Sequence, residues 1–277
     1  LRVSEESRTT RGQGGSPSLS KGQMEKLEGV PYYLDIRDAF GQPGCAFCRL
    51  LTARADRYLD AVLWELVNDY GVRAKLNKAR GYCQQHGWLL VRKGSALGVA
   101  ILMRDVVKTL LDVAAANPTE SRSGSVLETV RRSLDKERAS PATAPLLAQL
   151  SPQQPCPACE HVGGTEKDCI STLHKHFDGP GALSELYRAS DGLCLTHFRH
   201  VLARAPAGKT TTSLVSAQQE VWQRLHAELG EFIRKKDVRF RDESFGEERD
   251  SWRRALEAIS SAPPRSESDR QGLTQTM

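Results

Sequence analysis

Cys45-Ala46-Phe47-Cys48 is followed after 34 residues by Cys83-Gln84-Gln85-His86, and Cys156-Pro157-Ala158-Cys159 is followed after the same interval by Cys194-Leu195-Thr196-His197. Seven cysteines and seven histidines scattered over 277 residues would give only on the order of 0.2 pairs of either spacing by chance. The two sets therefore mark a duplication. Residues 45–86 and 156–197 align without a gap at a constant offset of 111, which places Val72 on Leu183 and Gly81 on Gly192.

Outward from the first CxxC, Phe47, Leu51, Ala55, Tyr58, Val62 and Leu66 recur at three- and four-residue steps, the stripe of an amphipathic helix. Asn68-Asp69-Tyr70-Gly71 supplies a stop signal. A short helix over 72–80 is expected to end at Gly81, which can adopt the left-handed conformation that turns the chain back toward Cys83. A helix opening near the CxxH and ending around Gly94 comes next. From Ser95, read as an N-cap, a long helix runs to about Ala116. Its polar stripe of Arg104, Lys108 and Asp112 is narrow, so most of its circumference is expected to be buried. The second copy repeats this plan, with a break at 206–208 and a long helix from about Thr212 carrying Leu214, Val221, Leu225, Leu229 and Phe232. Strand alternation is nowhere convincing. The fold expected is all-α, built of tandem pseudo-symmetric helical repeats, each clasped by a Cys3His metal site.

The domain plan follows from composition: a disordered N-terminal segment over 1–26, a first helical half over 27–116, and a linker over 117–155. Its Ser-, Pro-, Gln- and Ala-rich stretches flank one possible short helix at 126–138. A second half over 156–240, a C-terminal loop and helix over 241–260, and a disordered tail over 261–277 complete the plan.

Thiolate and imidazole are the donors zinc prefers, and two-residue gaps let both side chains of a pair converge on one ion. Within each repeat, Cys45, Cys48, Cys83 and His86 are expected to form one site, and Cys156, Cys159, Cys194 and His197 the other. Three thiolates and a neutral imidazole leave each centre near minus one, a charge that helix N-termini stabilise. Four protein ligands leave no open position for a reacting water, which favours two structural zinc ions over catalytic ones. An iron-sulfur cluster and thiol redox without metal are the alternatives. A thioredoxin-like reading lacks its strand-helix context. Cys169 reads as a small buried helix residue, and His161, His174 and His176 as ordinary surface histidines. His200 follows His197 on the same helix face but is not counted among the ligands, and Trp64, Trp88, Trp222 and Trp252 read as packing residues.

No phosphate loop, nucleophile elbow or paired catalytic carboxylate stands in a convincing context, so no catalytic residue is assigned. The longest apolar run, residues 96–103, is far short of the roughly 18–20 needed to span a bilayer. The polar N-terminus offers no apolar core for a secretory signal. A cytoplasmic, non-membrane protein is expected. Arg73, Lys75, Lys78 and Arg80, and Arg234, Lys235, Lys236, Arg239 and Arg241, can touch phosphates, but Asp237, Asp242, Glu243, Glu247 and Glu248 dilute the second group.

Gly81-Tyr82-Cys83-Gln84-Gln85-His86, the stretch from Ala96-Leu97-Gly98 to Arg104-Asp105-Val106, and the stretch from Glu231-Phe232-Ile233-Arg234 to Ser251-Trp252 resemble an uncharacterised bacterial domain-of-unknown-function family. Its members carry duplicated CxxC and CxxH sets in a helical chain. The resemblance covers residues 27–260, with Lys236 and Val238 where similar sequences have His and Tyr. It implies the architecture and no activity. The function expected is a zinc-stabilised scaffold or binding protein whose partner is a protein. The alternatives are an iron-sulfur or thiol redox protein and a nucleic-acid-associated factor.

Overall fold

A computed structural model describes residues 27, 29–117, 143–179, 182–240 and 242–261. Among these residues the chain is all-α, with eleven α-helices, two short 3-10 turns and no strand. The helices are α1 (Tyr33–Phe40), α2 (Ala46–Trp64), α3 (Tyr70–Lys78), α4 (Gln84–Trp88), α5 (Ala96–Ala116), α6 (Ala144–Leu150), α7 (Pro157–His176), α8 (Ser184–Ala189), α9 (Leu195–Ala203), α10 (Lys209–Lys235) and α11 (Ser251–Ser260). The segments expected at 1–26 and 126–138, and nearly all of the tail expected at 261–277, lie outside the described residues.

Local chemistry accounts for the boundaries. Asp69 caps α3, its carboxylate accepting from the Val72 amide at 2.8 Å. Arg80 and Gly81 then take positive φ angles of 58° and 102°, the left-handed turn expected of Gly81. Ser95 stands at the N-cap of α5, yet its hydroxyl faces back into the preceding turn, donating to the carbonyls of Leu90 (2.8 Å) and Arg92 (2.7 Å). Two helices appear where sequence pattern gave none. One is α1, whose Tyr33, Ile36, Ala39 and Phe40 are buried. The other is α6, inside the stretch read as linker, with a proline in its first turn, where the missing N–H costs nothing.

The described residues divide into two compact units that cut across the sequence halves. Unit one holds the residues up to Arg54 together with those from Gly163 onward; unit two holds residues 55–162. The first part of α2 thus belongs to one unit and its second part to the other, and α7 is divided likewise. Unit one is centred on Tyr33, Ile36, Phe47, Ile170, Phe177 and Tyr187. Unit two has a smaller core of Ala55, Leu59, Val62, Leu63, Leu76, Leu89, Leu90, Leu102, Val106 and Ala158.

The expectation that α5 is buried around most of its circumference is corrected: only Leu102 and Val106 are fully buried, while Leu97, Val107 and Leu111 are exposed. A narrow polar stripe limits which face can be wetted but does not supply enough neighbours to cover the rest. Trp64, Trp88 and Trp252 are also exposed, whereas Trp222 packs edge-on to Phe198.

Candidate metal centres

All eight cysteines and histidines of the repeated motifs come together in fours, but not in the sets expected. Cys45 and Cys48 meet Cys194 and His197, and Cys156 and Cys159 meet Cys83 and His86; in each group all donor atoms lie within 4.8 Å of one another. The CxxC of each repeat joins the CxxH of the other. The expected within-repeat sets are therefore corrected, and the cause is helix length. Nineteen residues of α2, at about 1.5 Å rise each, carry the chain on the order of 28 Å away from Cys45. Cys83 and His86 consequently fall in unit two while Cys45 and Cys48 stay in unit one.

Each centre is built from two helix starts. In the first, Cys45 and Cys48 bracket the start of α2 and Cys194 is the N-cap of α9. In the second, Cys83 is the N-cap of α4, and Cys156 and Cys159 bracket the start of α7. An extended backbone at Cys83 (φ −64°, ψ 164°) and Cys194 (φ −66°, ψ 160°) turns both residues into the first helical turn. The following histidine then lies on the same side as the thiol three residues before it. The N-terminal ends of the longer helices place partial positive charge beside a centre that would carry net negative charge with a divalent ion on three thiolates.

Donor spacing fits one tetrahedral ion. Bonds of about 2.3 Å to sulfur and about 2.0–2.1 Å to nitrogen put two sulfurs ~3.8 Å apart, and a sulfur and a nitrogen ~3.5 Å apart. In the first centre the Cys48 and Cys194 sulfurs are 3.7 Å apart, and His197 Nδ1 lies 3.5, 3.4 and 3.2 Å from Cys45, Cys48 and Cys194. In the second, the Cys83 and Cys159 sulfurs are 3.7 Å apart, and His86 Nδ1 lies 3.3, 3.8 and 3.3 Å from Cys83, Cys156 and Cys159. Both histidines present Nδ1. All seven cysteines are free thiols.

The surroundings of the two centres differ. Cys45, Cys48 and Cys194 are buried, Cys194 to 1% exposure, whereas Cys83 and Cys156 are half-buried and Cys159 is exposed. Around the first centre, burial pushes the Cys45 thiol up, assisted by its bonds to Cys194 and Cys48. Cys194 is pulled down by bonds from Cys45 and Cys48 and by His197. Burial alone would lower His197, but its bonds to Cys194 and Cys48 prevail and raise it to about 10. In the second centre burial acts upward on Cys156 and is outweighed by the His86 hydrogen bond and two backbone amides, so that thiol falls. Cys159 is pushed up to about 12 by desolvation and by the charge of Cys156.

Three residues that the sequence did not single out support the first centre. Glu166 places Oε1 3.9 Å from His197 Nε2 and 2.6 Å from His200 Nδ1. His200 is thereby tied to a carboxylate, outside the ligand set. Asp191 accepts from the Gly44 amide at 2.7 Å, immediately before Cys45. Ser261, at the end of α11, has its hydroxyl 3.3 Å from the Cys194 sulfur. These are tertiary meetings with no local sequence signature. Of the remaining candidates, Cys169 is buried, with its thiol raised to about 12 by burial. His161 stacks on Tyr58, His174 reaches the Val201 carbonyl, and His176 lies edge-on to Tyr33.

Fold and donor geometry together define an all-helical protein with two Cys3His groups that can each hold a metal ion. The chain matches the family of unknown function DUF6062 over residues 28–266 and belongs to it. It is also 33% identical over 70 residues to an uncharacterized 23.9 kDa protein in the xynA 3'region of Caldicellulosiruptor sp. (strain Rt8B.4). That match spans 25% of this chain and about a third (34%) of the relative's length. No solved structure matches the chain.

Proposed function

We propose that the protein is a zinc-stabilised helical scaffold that binds a protein partner in the reducing environment of the cytoplasm. The observation that carries this reading is the spacing of donors in both centres, with sulfur-sulfur edges of 3.7 Å. A cluster would insert several irons and bridging sulfides among the cysteines and spread thiolates on different irons beyond the edge of a single coordination shell. Three thiolates and an imidazole suit zinc among the available divalent ions. Four protein donors fill its tetrahedron, leaving no position for the water that a catalytic zinc activates. The role left to such a centre is to tie helices together, worth about 10–16 kcal/mol of apparent binding energy in small zinc peptides.

A protein partner is supported by the apolar side chains that unit two presents to solvent, Trp64, Trp88, Leu97, Val107 and Leu111. Aromatic residues of this kind anchor protein interfaces. Much of the basic character that would attract nucleic acid is paired: Arg234 with Glu231 and Glu243, Lys235 with Glu248, and Arg239 with Asp237. Among the described residues no helix is long and apolar enough to cross a membrane. Elemental analysis of natively purified protein tests the reading: two zinc equivalents and no visible absorption near roughly 400 nm are expected. Stoichiometric iron with that absorption would overturn it. Affinity capture against nuclease-treated and untreated lysate tests the partner class, and loss of the captured material on nuclease treatment would overturn the protein assignment.

A further inference from the structure

We propose that the second centre, Cys83, His86, Cys156 and Cys159, is a peroxide-responsive clasp whose oxidation unfastens unit two while the first centre stays closed. The inference rests on the reading of both centres as zinc sites and goes beyond it by giving them different roles.

The argument is the contrast between two centres of the same donor set and edge length. Peroxide must reach a sulfur to oxidise it, and susceptibility follows thiolate character and access. With zinc bound, both centres would hold thiolates of the same type, so access decides. Cys194 is buried to 1% exposure, Cys45 to 7% and Cys48 to 8%, beneath α11 and its Ser261 contact. Cys159 is exposed and Cys83 half-exposed, with their sulfurs 3.7 Å apart.

The chemistry balances with hydrogen peroxide as the oxidant. The Cys159 thiolate attacks one peroxide oxygen; a sulfur-oxygen bond forms, the oxygen-oxygen bond breaks, and hydroxide departs. The Cys83 thiolate then attacks that sulfur; the disulfide forms and a second hydroxide leaves. The two sulfurs have lost two electrons, and two protons convert the hydroxides to water. Cys156 and His86 alone remain as donors, half the set that retains an ion.

Loss of this clasp acts on the unit with the smaller core. Helix α4 has five residues, too few to hold its conformation in water unaided. It is followed at once by Leu89 and Leu90, two of the ten residues of the small second core. Freed from Cys156 and Cys159, α4 and those leucines lose their tie to the start of α7. Unit one has its own larger core and centre.

The full chain, purified under reducing conditions and shown to carry two zinc equivalents, is transferred to reductant-free buffer and treated with hydrogen peroxide. Released zinc is followed with a chromophoric chelator, and cysteines are mapped by alkylation and mass spectrometry. One equivalent is expected to leave about tenfold faster than the other, with a Cys83–Cys159 cross-link, unmodified Cys45, Cys48 and Cys194, a change in Trp88 emission, and recovery on adding reductant and zinc. Release of both equivalents at one rate, release of neither, or first oxidation at Cys45, Cys48 or Cys194 overturns the proposal. Absence of bound zinc before peroxide is added would instead overturn the underlying zinc reading, so the two failures are distinguishable.

Discussion

Cys48 and Cys194 are separated by 146 residues of chain, and their sulfurs lie 3.7 Å apart. Cys83, which opens the CxxH of the repeat that begins with Cys45, meets Cys159 of the other repeat, with sulfurs 3.7 Å apart. The exchange can be tested by counting metal in double variants. Cys45→Ser with Cys194→Ser damages one centre, and a loss of one equivalent is expected. Cys45→Ser with Cys83→Ser damages both, and a loss of two is expected. Within-repeat centres would reverse this ordering, so elemental analysis of the two purified proteins separates the arrangements.

The orientation of α5 makes a stability prediction. Leu102 is fully buried and Leu111 is exposed, so Leu102→Ala should cost about 2–5 kcal/mol and Leu111→Ala no more than about 0.5 kcal/mol. Urea denaturation of both variants reads the difference. Comparable losses would mean that Leu111 is covered in solution.

Arg254 is buried among acids: it pairs with Glu228 and with Asp250, and lies 3.8 Å from Asp191. Through Asp191, which holds the Gly44 amide, this cluster ties α11 to the approach to Cys45. Arg254→Ala removes a buried guanidinium from the partly buried carboxylates of Glu228 and Asp250 and should cost about 1.5–3 kcal/mol. The same variant should speed alkylation of Cys194 in metal-stripped protein, because α11 and Ser261 are no longer held over it. Unchanged melting and unchanged alkylation would remove the arginine from this role.

Acid should loosen the segment before α11 through Glu248. The Lys235 ammonium, 2.7 Å away, and the Gly246 amide hold this carboxyl down at about 2. Because the folded value lies below the ordinary 4.5, the contribution to stability is complete above that ordinary value. It is lost as pH falls from there through about 2. Trp252 fluorescence followed between neutral pH and pH 2 should therefore show an acid transition that Glu248→Gln diminishes. An identical transition in the variant would assign it elsewhere.

Sequence patterning reveals the helices because their stripes are local: Phe47, Ala55 and Val62 follow one another on one face whatever packs against them. The ligand residues are legible for the same reason, since a CxxC or CxxH brings its donors together within a single turn. Which pair meets which is a different matter. Both repeats have the same 34-residue interval, so spacing cannot distinguish a partner within the repeat from one across it; the length of α2 decides. The expected burial of α5 differs from the exposure observed because apolar composition reports a demand for cover, while Leu97 and Leu111 remain exposed among the described residues. Glu166, Asp191 and Ser261 carried no signal at all, for each reaches the first centre from a distant element.

The ligand sets are nested along the polypeptide, with 83, 86, 156 and 159 lying inside 45, 48, 194 and 197. A fragment ending at residue 116 would carry one complete CxxC and one complete CxxH, yet would close no centre. During synthesis the inner centre becomes possible once Cys159 has emerged, and the outer one must wait for His197. Maturation is therefore ordered by the direction of translation, and a chain interrupted between His86 and the second CxxC leaves four donors with no complementary set to meet.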